Sequence, residues 1–279
     1  MDDAQHAFSD RSDSDRSSAG QQLADQPPTA LVTGASGGIG RATCVALAER
    51  GHRVAVHAAH NVDGARATLD ALPGDGHVLV VADLTEPGEA ERIVSEAAAA
   101  LGPVGVLVNN AAIATGPENR HHPATSSFAA WSAAFGTMID VNLRAASDVS
   151  FWFARHAIED GHAASIVNVG SRGAFRGEPD HPAYAATKAA LHALGQSLAV
   201  ALAPHGIGVT SVAPGFTATE RTAERLRGLA GEGVAAQSPF GRVARAEEIA
   251  HAIANLADPA SVWASGTIVD LNGASYLRS

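Results

Sequence analysis

Short runs of Val, Ile and Leu alternate with helical patterns along this chain of 279 residues. Uninterrupted apolar runs of this kind are typical of strands that are buried on both faces of a parallel sheet. Because crossovers between parallel strands are right-handed, the alternation predicts a doubly wound α/β fold of about seven strands with helices on both faces. The expected strands are TALVT, RVAVHA, HVLVVA, VGVLVNN, ASIVNVG, GIGVTSV and GTIVDL, and the expected helices cover 39–50, 62–71, 86–101, a long stretch through 160, 182–203, 219–230 and 246–257.

The N-terminal segment differs in composition from the rest of the chain. Residues 1–28 are rich in Ser, Asp and Gln, end in two prolines, and carry few large apolar side chains. Such a segment cannot bury enough apolar surface to offset the entropy lost on ordering, so we predict a disordered tail. Residues 29–279 have the length of one large α/β domain and are predicted to fold as a single unit.

Charge and apolar patterning exclude several classes of partner. The formal net charge is -10, whereas nucleic acids and anionic membranes require clustered Lys and Arg, so we expect a small-molecule partner, no nucleic acid and no membrane. No apolar run approaches the roughly 18 to 20 residues of a membrane span. The start MDDAQHAFSD lacks the basic and apolar parts of a signal peptide, and the single cysteine, Cys44, cannot form an internal disulfide. These features predict a cytoplasmic protein.

A glycine-rich segment, TGASGGIG at 33–40, separates the first strand from the first helix. Glycine permits positive φ and close backbone approach, and the N–H groups of a helix N-terminus attract a pyrophosphate, so we expect a dinucleotide here. Because Gly37 is present, the loop satisfies both G-x-x-x-G-x-G and G-x-x-G-x-x-G, and the motif alone does not choose between subfamilies. No Lys followed by Ser or Thr closes the run, which excludes a kinase-type phosphate loop. The expected contacts are Gly34, Ser36, Gly38, Ile39 and Gly40.

The end of the second predicted strand bears on the choice between NAD(H) and NADP(H). A carboxylate about 20 residues past the loop would bind the ribose 2′-hydroxyl and favour NAD. Residues 57–61, HAAHN, contain no carboxylate and also no Arg or Lys. We therefore favour NADP(H) over NAD(H), with His57 as a cofactor contact. After the third strand, Asp83 and Leu84 are placed to contact the adenine, although Asp83 can equally cap the following turn.

Tyr184 and Lys188 form the motif Y-A-A-T-K at the start of a predicted helix. Their i, i+4 spacing puts both side chains on one face of that helix. A phenol with a pKa near 10 becomes a base at neutral pH only if its phenolate is stabilised by roughly 4 kcal/mol, and a cation one turn away can supply much of this. Ser171 directly follows the strand ASIVNVG, whose carboxyl end would deliver it to the ligand crevice of a parallel sheet.

Together with NNAA at 109–112 and DVNL at 140–143, these motifs resemble the short-chain dehydrogenase/reductase family in its compact single-domain branch. The resemblance covers about residues 29–275. It implies a Rossmann fold, in which residues 29–279 form a dinucleotide-binding catalytic domain.

The resemblance also implies roles for individual residues. Ser171 would bind the substrate oxygen, and Tyr184 would give or remove its proton. Lys188 would bind the nicotinamide ribose and lower the pKa of Tyr184. Asn142 would help to hold a water that relays protons to Lys188, and Asn109 would brace the sheet beside the cofactor. The implied cofactor contacts in this region are Asn110, Ala111, Tyr184 and Lys188.

After the sixth predicted strand, VAPGFTAT resembles the family's Pro-Gly turn, which contacts the nicotinamide carboxamide. The residues implied for this contact are Pro214, Gly215 and Thr217. Thr219 is interpreted as the cap of the next helix, which Glu220 and its neighbours would open.

Two segments depart from the family pattern. The stretch 114–131 is longer than usual and contains ENRHHPATSS. Adjacent histidines on a loop seldom converge on one ion and no third ligand follows at useful spacing, so we predict no metal; the insertion could instead wall the substrate pocket or pack against a neighbouring subunit. In the charged loop SRGAFRGEPDH, Arg172 or Arg176 could meet an anionic substrate, but we favour their pairing with the Glu and Asp of the same loop.

The leading interpretation is an NADP(H)-dependent carbonyl reductase or secondary-alcohol dehydrogenase, most similar to members of the 3-oxoacyl-carrier-protein reductase type. One alternative is an epimerase or dehydratase of the family's extended branch. The chain is too short to contain the extra substrate domain of that branch. Another alternative is a regulatory protein that binds the cofactor without turnover. Loss of Ser171, Tyr184 or Lys188 would have favoured it, but all three residues are present. On resemblance we expect a homodimer or homotetramer that forms through the helices at about 128–158 and 182–203.

Overall fold

The structure is a computed structural model that describes residues 27–224 and 226–278. Apart from its two final prolines, the predicted tail at 1–28 lies outside the described residues. The strands are β1 (Thr29–Val32), β2 (Arg53–Ala58), β3 (Val78–Val81), β4 (Val106–Asn109), β5 (Ala164–Val169), β6 (Ile207–Pro214), β7 (Thr217–Ala218), β8 (Ala244–Arg245) and β9 (Ile268–Leu271). The helices are α1 (Gly38–Ala48), α2 (Val62–Asp70), α3 (Glu89–Leu101), α4 (Phe128–Ile139), α5 (Ala145–Asp160), α6 (Gly173–Arg176), α7 (Pro182–Leu202), α8 (Gly228–Ala235) and α9 (Ala246–Ala257).

One parallel sheet organises the fold. Its strand order is β3-β2-β1-β4-β5-β6-β9, a 7-stranded arrangement, and β7 and β8 form a separate 2-stranded pair. The doubly wound Rossmann-like α/β fold expected from the sequence is therefore confirmed.

Strand β1 shows why the apolar runs are continuous. Ala30 and Val32 lie in a core with side chains of α1 and α9, whereas Leu31 lies in a second core with side chains of α3 and α5. Successive residues of a strand point to opposite faces, and helices cover both faces of this sheet, so each residue must be apolar. Leu47 and Ile253 contribute to the first core, and Ile93 and Phe153 to the second.

Two predicted helices differ from the structure. The long stretch through 160 is interrupted between α4 and α5 by a π-helical segment, Asp140–Arg144. The prediction of a helix at 219–230 was wrong, because residues 220–224 form turns and α8 begins only at Gly228. The Thr222 hydroxyl donates to the Thr217 carbonyl at 2.7 Å and accepts from the Thr219 N–H at 2.9 Å. Such side-chain hydrogen bonds compete with the backbone hydrogen bonds of a helix.

Within the described residues, no helix combines the length and the apolar character that a membrane crossing requires.

Candidate active site

The candidate site lies at the carboxyl edge of the sheet, where the direction of winding reverses. Strand β1 pairs with β2 on one side and with β4 on the other. Such a switch point leaves a crevice between the loops that follow the two central strands. The loops after β1, β4, β5 and β6 deliver the glycine segment, Asn110, Ser171 and the Pro214-Gly215 turn to this edge.

The glycine segment after β1 is packed too closely to accept side chains at two positions. Gly34 has a φ of +64°, and a Cβ atom there would lie 2.6 Å from the Cα of Ala111. A Cβ at Gly40 would lie 2.5 Å from the Gly34 carbonyl oxygen and 2.6 Å from Nδ2 of Asn110. The segment therefore turns tightly into the N-terminus of α1, the geometry in which a backbone can approach a pyrophosphate.

Two adjacent asparagines at the end of β4, Asn109 and Asn110, stabilise this edge. The Asn110 amide donates to the carbonyls of Thr33 and Gly34, at 2.9 Å each. The Asn109 amide donates at 2.9 Å to Ser150 and at 2.9 Å to Asn168 of β5. Asn110 thus holds the glycine segment, and Asn109 braces the sheet as the sequence led us to expect.

The structure buries His57 beneath the glycine segment, which corrects its prediction as a cofactor contact. The side chain is buried, with 1% of the residue exposed. Its Nδ1 accepts from the Gly34 N–H at 3.2 Å, and Nε2 lies 3.0 Å from the Ala82 carbonyl. Burial lowers the pKa of His57 to about 4, so the ring is neutral and Nε2 carries the proton. His57 therefore supports the segment from inside the protein.

Asp83 adopts the second of its two predicted roles and caps a turn. Its Oδ1 accepts from the Thr85 N–H at 3.0 Å and from the Thr85 hydroxyl at 2.7 Å. These bonds hold the pKa of Asp83 below its usual range. Oδ2 lies 3.5 Å from Nε2 of His60. The Leu84 side chain packs against the core beside β3.

The catalytic residues predicted from the sequence meet at the end of β5. The Ser171 hydroxyl accepts from the Gly173 N–H at 3.0 Å, and its interaction with Tyr184 lowers the pKa of that phenol. Lys188, one turn along α7 from Tyr184, is buried and donates to the Val169 carbonyl at 2.8 Å. Its ammonium nitrogen lies 6.0 Å from the centroid of the Tyr184 ring.

Burial and neighbouring groups shift the pKa values of Tyr184 and Lys188. Burial raises the pKa of Tyr184, while the Ser171 hydrogen bond and the charge of Arg221 lower it. The Lys188 ammonium donates to the Val169 carbonyl, and burial lowers the pKa of Lys188 to about 8. The expectation that Lys188 lowers the phenol pKa stays a prediction. Arg221, whose Nη1 lies 3.4 Å from the Ala112 carbonyl, was missed because no local motif marks it.

Asn142 lies in the π-helical segment and connects the loop after β4 to α7. Its Oδ1 accepts from the Ile113 N–H at 2.7 Å, and its Nδ2 lies 3.2 Å from the Ile113 carbonyl and 3.4 Å from the Thr187 hydroxyl. A π-turn shifts side-chain direction within a helix and is frequent at functional sites. The asparagine thus lies next to the helical turn that joins Tyr184 to Lys188.

The turn after β6 packs against the C-terminal strand connection. A Cβ at Gly215 would lie 3.0 Å from the Cα of Asn272, so only glycine fits there without a shift. The Thr217 hydroxyl donates to the Gly215 carbonyl at 3.2 Å, and the Pro214 carbonyl accepts from the Arg172 N–H at 3.0 Å. Pro214 therefore contacts the Ser171 loop, and Thr217 is bonded to Gly215 within the same turn.

The Glu220 carboxylate lies on the glycine segment, a contact that the sequence did not reveal. Its Oε2 accepts from the Gly38 N–H at 3.0 Å, and Oε1 lies 2.8 Å from Nη1 of Arg41. The pKa of Glu220 is lowered first by its own backbone N–H and then by Gly38 and Arg41. Glu220 thus occupies a backbone donor at the N-terminus of α1 that an anionic ligand would use.

The charged loop after Ser171 does not form the predicted pairs. Arg172 and Arg176 both donate to Oε1 of Gln237, at 2.7 and 2.6 Å. Asp180 instead pairs with Arg120 at 2.8 Å. Within the described part of the chain, no group of three or more His, Cys, Asp or Glu side chains could hold a metal ion.

Comparison with known proteins agrees with this geometry. The family model described as short chain dehydrogenase matches residues 28–229. The chain is 35% identical over 251 residues to the 3-oxoacyl-(acyl-carrier-protein) reductase FabG of Escherichia coli (strain K12), covering 89% of this chain and 97% of the relative. It is 34% identical over 254 residues to an L-rhamnose 1-dehydrogenase (NAD(P)(+)) of Sphingomonas sp. (strain SKA58), covering 90% and 96%. It is 36% identical over 246 residues to a cis-4-hydroxycyclohexanecarboxylate dehydrogenase of Sinomonas cyclohexanicum, covering 88% and 94%.

The family match spans most of the described residues, and the named relatives are oxidoreductases covered over nearly their whole length. The chain belongs to the short-chain dehydrogenase/reductase family and is an NAD(P)-dependent oxidoreductase.

Proposed function

We propose that this protein interconverts a ketone and a secondary alcohol, with Tyr184 as the acid/base. The observation that carries the proposal is the placement of Tyr184 beside Ser171 at the carboxyl end of β5, where the Ser171 side chain lowers the pKa of the phenol and the Lys188 ammonium lies 6.0 Å from the centroid of its ring. A substrate oxygen that bonds both hydroxyls would receive a proton from Tyr184 on reduction and lose it to Tyr184 on oxidation. When bound, the nicotinamide supplies or accepts the hydride at the substrate carbon.

The other proposed catalytic residues, Lys188, Asn142 and Ser171, assist the transfer of the proton between Tyr184 and the substrate oxygen. The buried ammonium of Lys188, with a pKa lowered to about 8, can exchange a proton near neutral pH. Asn142 lies against the same turn of α7 and is proposed to hold the water that joins Lys188 to solvent. Ser171 orients the substrate oxygen toward Tyr184.

The glycine segment and the neighbouring loops are proposed to hold the dinucleotide. The close contacts at Gly34 and Gly40 exclude side chains and allow the tight turn into the N-terminus of α1, where backbone N–H groups can bind a phosphate. We propose that the loop of Asp83 and Leu84 contacts the adenine and that the Pro-Gly turn contacts the carboxamide. The proposed contacts are Gly34, Ser36, Gly38, Ile39, Gly40, Asp83, Leu84, Asn110, Ala111, Tyr184, Lys188, Pro214, Gly215 and Thr217.

We also propose a preference for NADP(H), because residues 57–61 contain no carboxylate to repel a 2′-phosphate. NADPH is expected to bind about three- to tenfold more tightly than NADH in a tryptophan-quenching titration. The variant Ala59→Asp, which places a carboxylate just after β2, should lower NADPH affinity by at least about tenfold and spare NADH. Tighter binding of NADH by the unmodified protein would contradict the preference. If neither cofactor bound at about 1 mM, the proposed function itself would fail.

Glu220 is expected to compete with the cofactor for the Gly38 N–H. The variant Glu220→Gln removes the charge and should raise NADPH affinity by about three- to fivefold, the size of effect typical of an exposed ion pair. Isothermal titration calorimetry measures this affinity. Glu224→Gln, an exposed glutamate of the same segment, is the matched control and should leave affinity unchanged. Weaker binding by Glu220→Gln would instead assign Glu220 a supporting role in the complex.

The assembly proposed for this enzyme is a homodimer or homotetramer. The helices expected at the interface present exposed apolar side chains, namely Phe128 on α4, Phe151 on α5 and Val200 on α7. Apolar surface of this kind is stabilised by burial against a second subunit. We also propose that the protein is cytoplasmic, as predicted from the sequence.

A further inference from the structure

The insertion at 114–131 packs on the N-terminus of α7, the helix that carries Tyr184. The His121 N–H donates to the Asp180 carbonyl at 2.9 Å, and Nε2 of His181 lies 2.9 Å from the Gly116 carbonyl. Arg120 pairs with Asp180 at 2.8 Å. The insertion is therefore attached to the residues that immediately precede the catalytic helix.

The start of α7 lacks the cap that helices usually supply to themselves. The N-cap residue is His181, whose side chain makes no capping hydrogen bond, and Pro182 follows it without an N–H. The first free donor of the helix is thus the N–H of Ala183. It donates to Nε2 of His121 at 2.9 Å, so a side chain from the insertion provides the cap.

Both ring nitrogens of His121 are used, and together they define its tautomer. Nδ1 lies 2.7 Å from the Asn119 carbonyl and must donate, whereas Nε2 accepts from Ala183. The residue is 1% exposed. A neutral imidazole with its proton on Nδ1 satisfies both partners without water.

Aromatic rings hold His121 in this orientation. The rings of Trp131 and Phe135 on α4 approach it edge-on, with centroids 5.9 and 6.1 Å away. His181 approaches in the same way at 5.8 Å. Packing on three sides leaves the imidazole few alternative rotamers, so the position of its Nε2 is fixed relative to α7.

We propose that His121 is a positioning residue, which sets the start of α7 and thereby the placement of the Tyr184 phenol against Ser171. This inference rests on the proposed function of Tyr184. Tyr184 directly follows Ala183, and its own N–H donates to the His181 carbonyl at 3.1 Å, so a shift of the first turn moves the phenol. Displacements of about 1 Å in an active site can cost about a hundredfold in rate.

The test compares two replacements of His121 that differ in hydrogen bonding. His121→Phe fills the aromatic pocket but removes the acceptor, and we expect kcat to fall about tenfold or more with NADPH affinity unchanged. His121→Gln restores an acceptor and should recover kcat to within about threefold of the original protein. His122→Phe is the matched control, because the side chain of this neighbouring histidine accepts from the Ala124 N–H within its own loop, at 3.1 Å, and should tolerate the change.

Two readouts do not depend on turnover. In the cofactor-free protein, hydrogen exchange at the Ala183 amide should accelerate in His121→Phe and return toward normal in His121→Gln. The phenol pKa of Tyr184, measured by ultraviolet titration against Tyr184→Phe, should rise in His121→Phe because the Ser171 bond that lowers it is weakened.

The outcomes separate the two proposals. Unchanged kcat, amide exchange and phenol pKa in His121→Phe would overturn the role of His121, as would equal losses in the Phe and Gln variants. If the original protein reduced no ketone, the proposed function would fail. The amide exchange and the phenol pKa would then still decide whether His121 positions Tyr184.

Discussion

Tyr184→Phe is expected to lower kcat for ketone reduction by about three orders of magnitude, within the range found for loss of a general acid. The phenyl ring keeps the contacts of the side chain with α7 but cannot give a proton to the substrate oxygen. It also removes the hydrogen bond to Ser171, whose hydroxyl alone is a poor acid at neutral pH. Steady-state turnover with NADPH and a panel of ketones measures the loss, and NADPH affinity should change by less than about twofold.

The chain contains 2 tyrosines, so the second is a matched control. The Tyr276 hydroxyl donates to the Phe175 carbonyl at 3.2 Å and makes no contact with Ser171 or Lys188. Tyr276→Phe should therefore retain kcat to within about threefold. Similar rates for Tyr184→Phe and the original protein would remove Tyr184 from the mechanism and favour a different proton donor.

Gly40→Ala is expected to reduce cofactor affinity by about a hundredfold or more and to destabilise the fold by about 1–3 kcal/mol. The added Cβ would meet the Gly34 carbonyl oxygen at 2.5 Å, Nδ2 of Asn110 at 2.6 Å and the Cα of Ala35 at 2.9 Å. Two of these atoms are backbone, so the clash can be relieved only by moving the glycine segment away from α1. Calorimetric titration with NADPH and urea denaturation measure the two effects.

Gly136→Ala provides the control for this substitution. Gly136 lies inside α4, and a Cβ there meets nothing within 4 Å. Alanine at such a helical position should stabilise the protein by about 0.5–1 kcal/mol and leave NADPH affinity unchanged. Full affinity in Gly40→Ala would show that the glycine segment does not form the phosphate site.

Much of the fold follows from residue patterns that act locally. Each predicted strand became a strand of the sheet, because continuous apolar runs can be satisfied only between two layers of helices. The helix predicted at 246–257 has those same bounds, since its apolar face repeats at helical spacing. The failure at 219–230 arose because threonine hydroxyls replaced helical hydrogen bonds there, an outcome that composition does not indicate.

Site residues were predictable from the sequence only where the spacing within one motif determines their relative positions. The spacing of Tyr184 and Lys188 fixes their shared helix face, and Ser171 follows a buried strand directly. By contrast, Glu220 on Gly38 and His121 on Ala183 are contacts between segments far apart in the chain. From the sequence, the adjacent histidines of the insertion were considered as metal ligands and rejected; the cap role of His121 was missed because it depends on which loop lies beside α7.

The order of strands in the sheet has a consequence for how this protein is made. Ala30 of β1 lies beside Val106 of β4, and the Ser171 hydroxyl reaches the site only after β5 has joined β4. Parallel pairings between distant segments form slowly, since the entropy of closing the intervening loops is lost before the contacts are gained. No fragment that ends before α7 contains both the glycine segment and Tyr184. The proposed site is therefore complete only when nearly all of the sheet is in place, and a cofactor that binds the completed fold stabilises it by mass action.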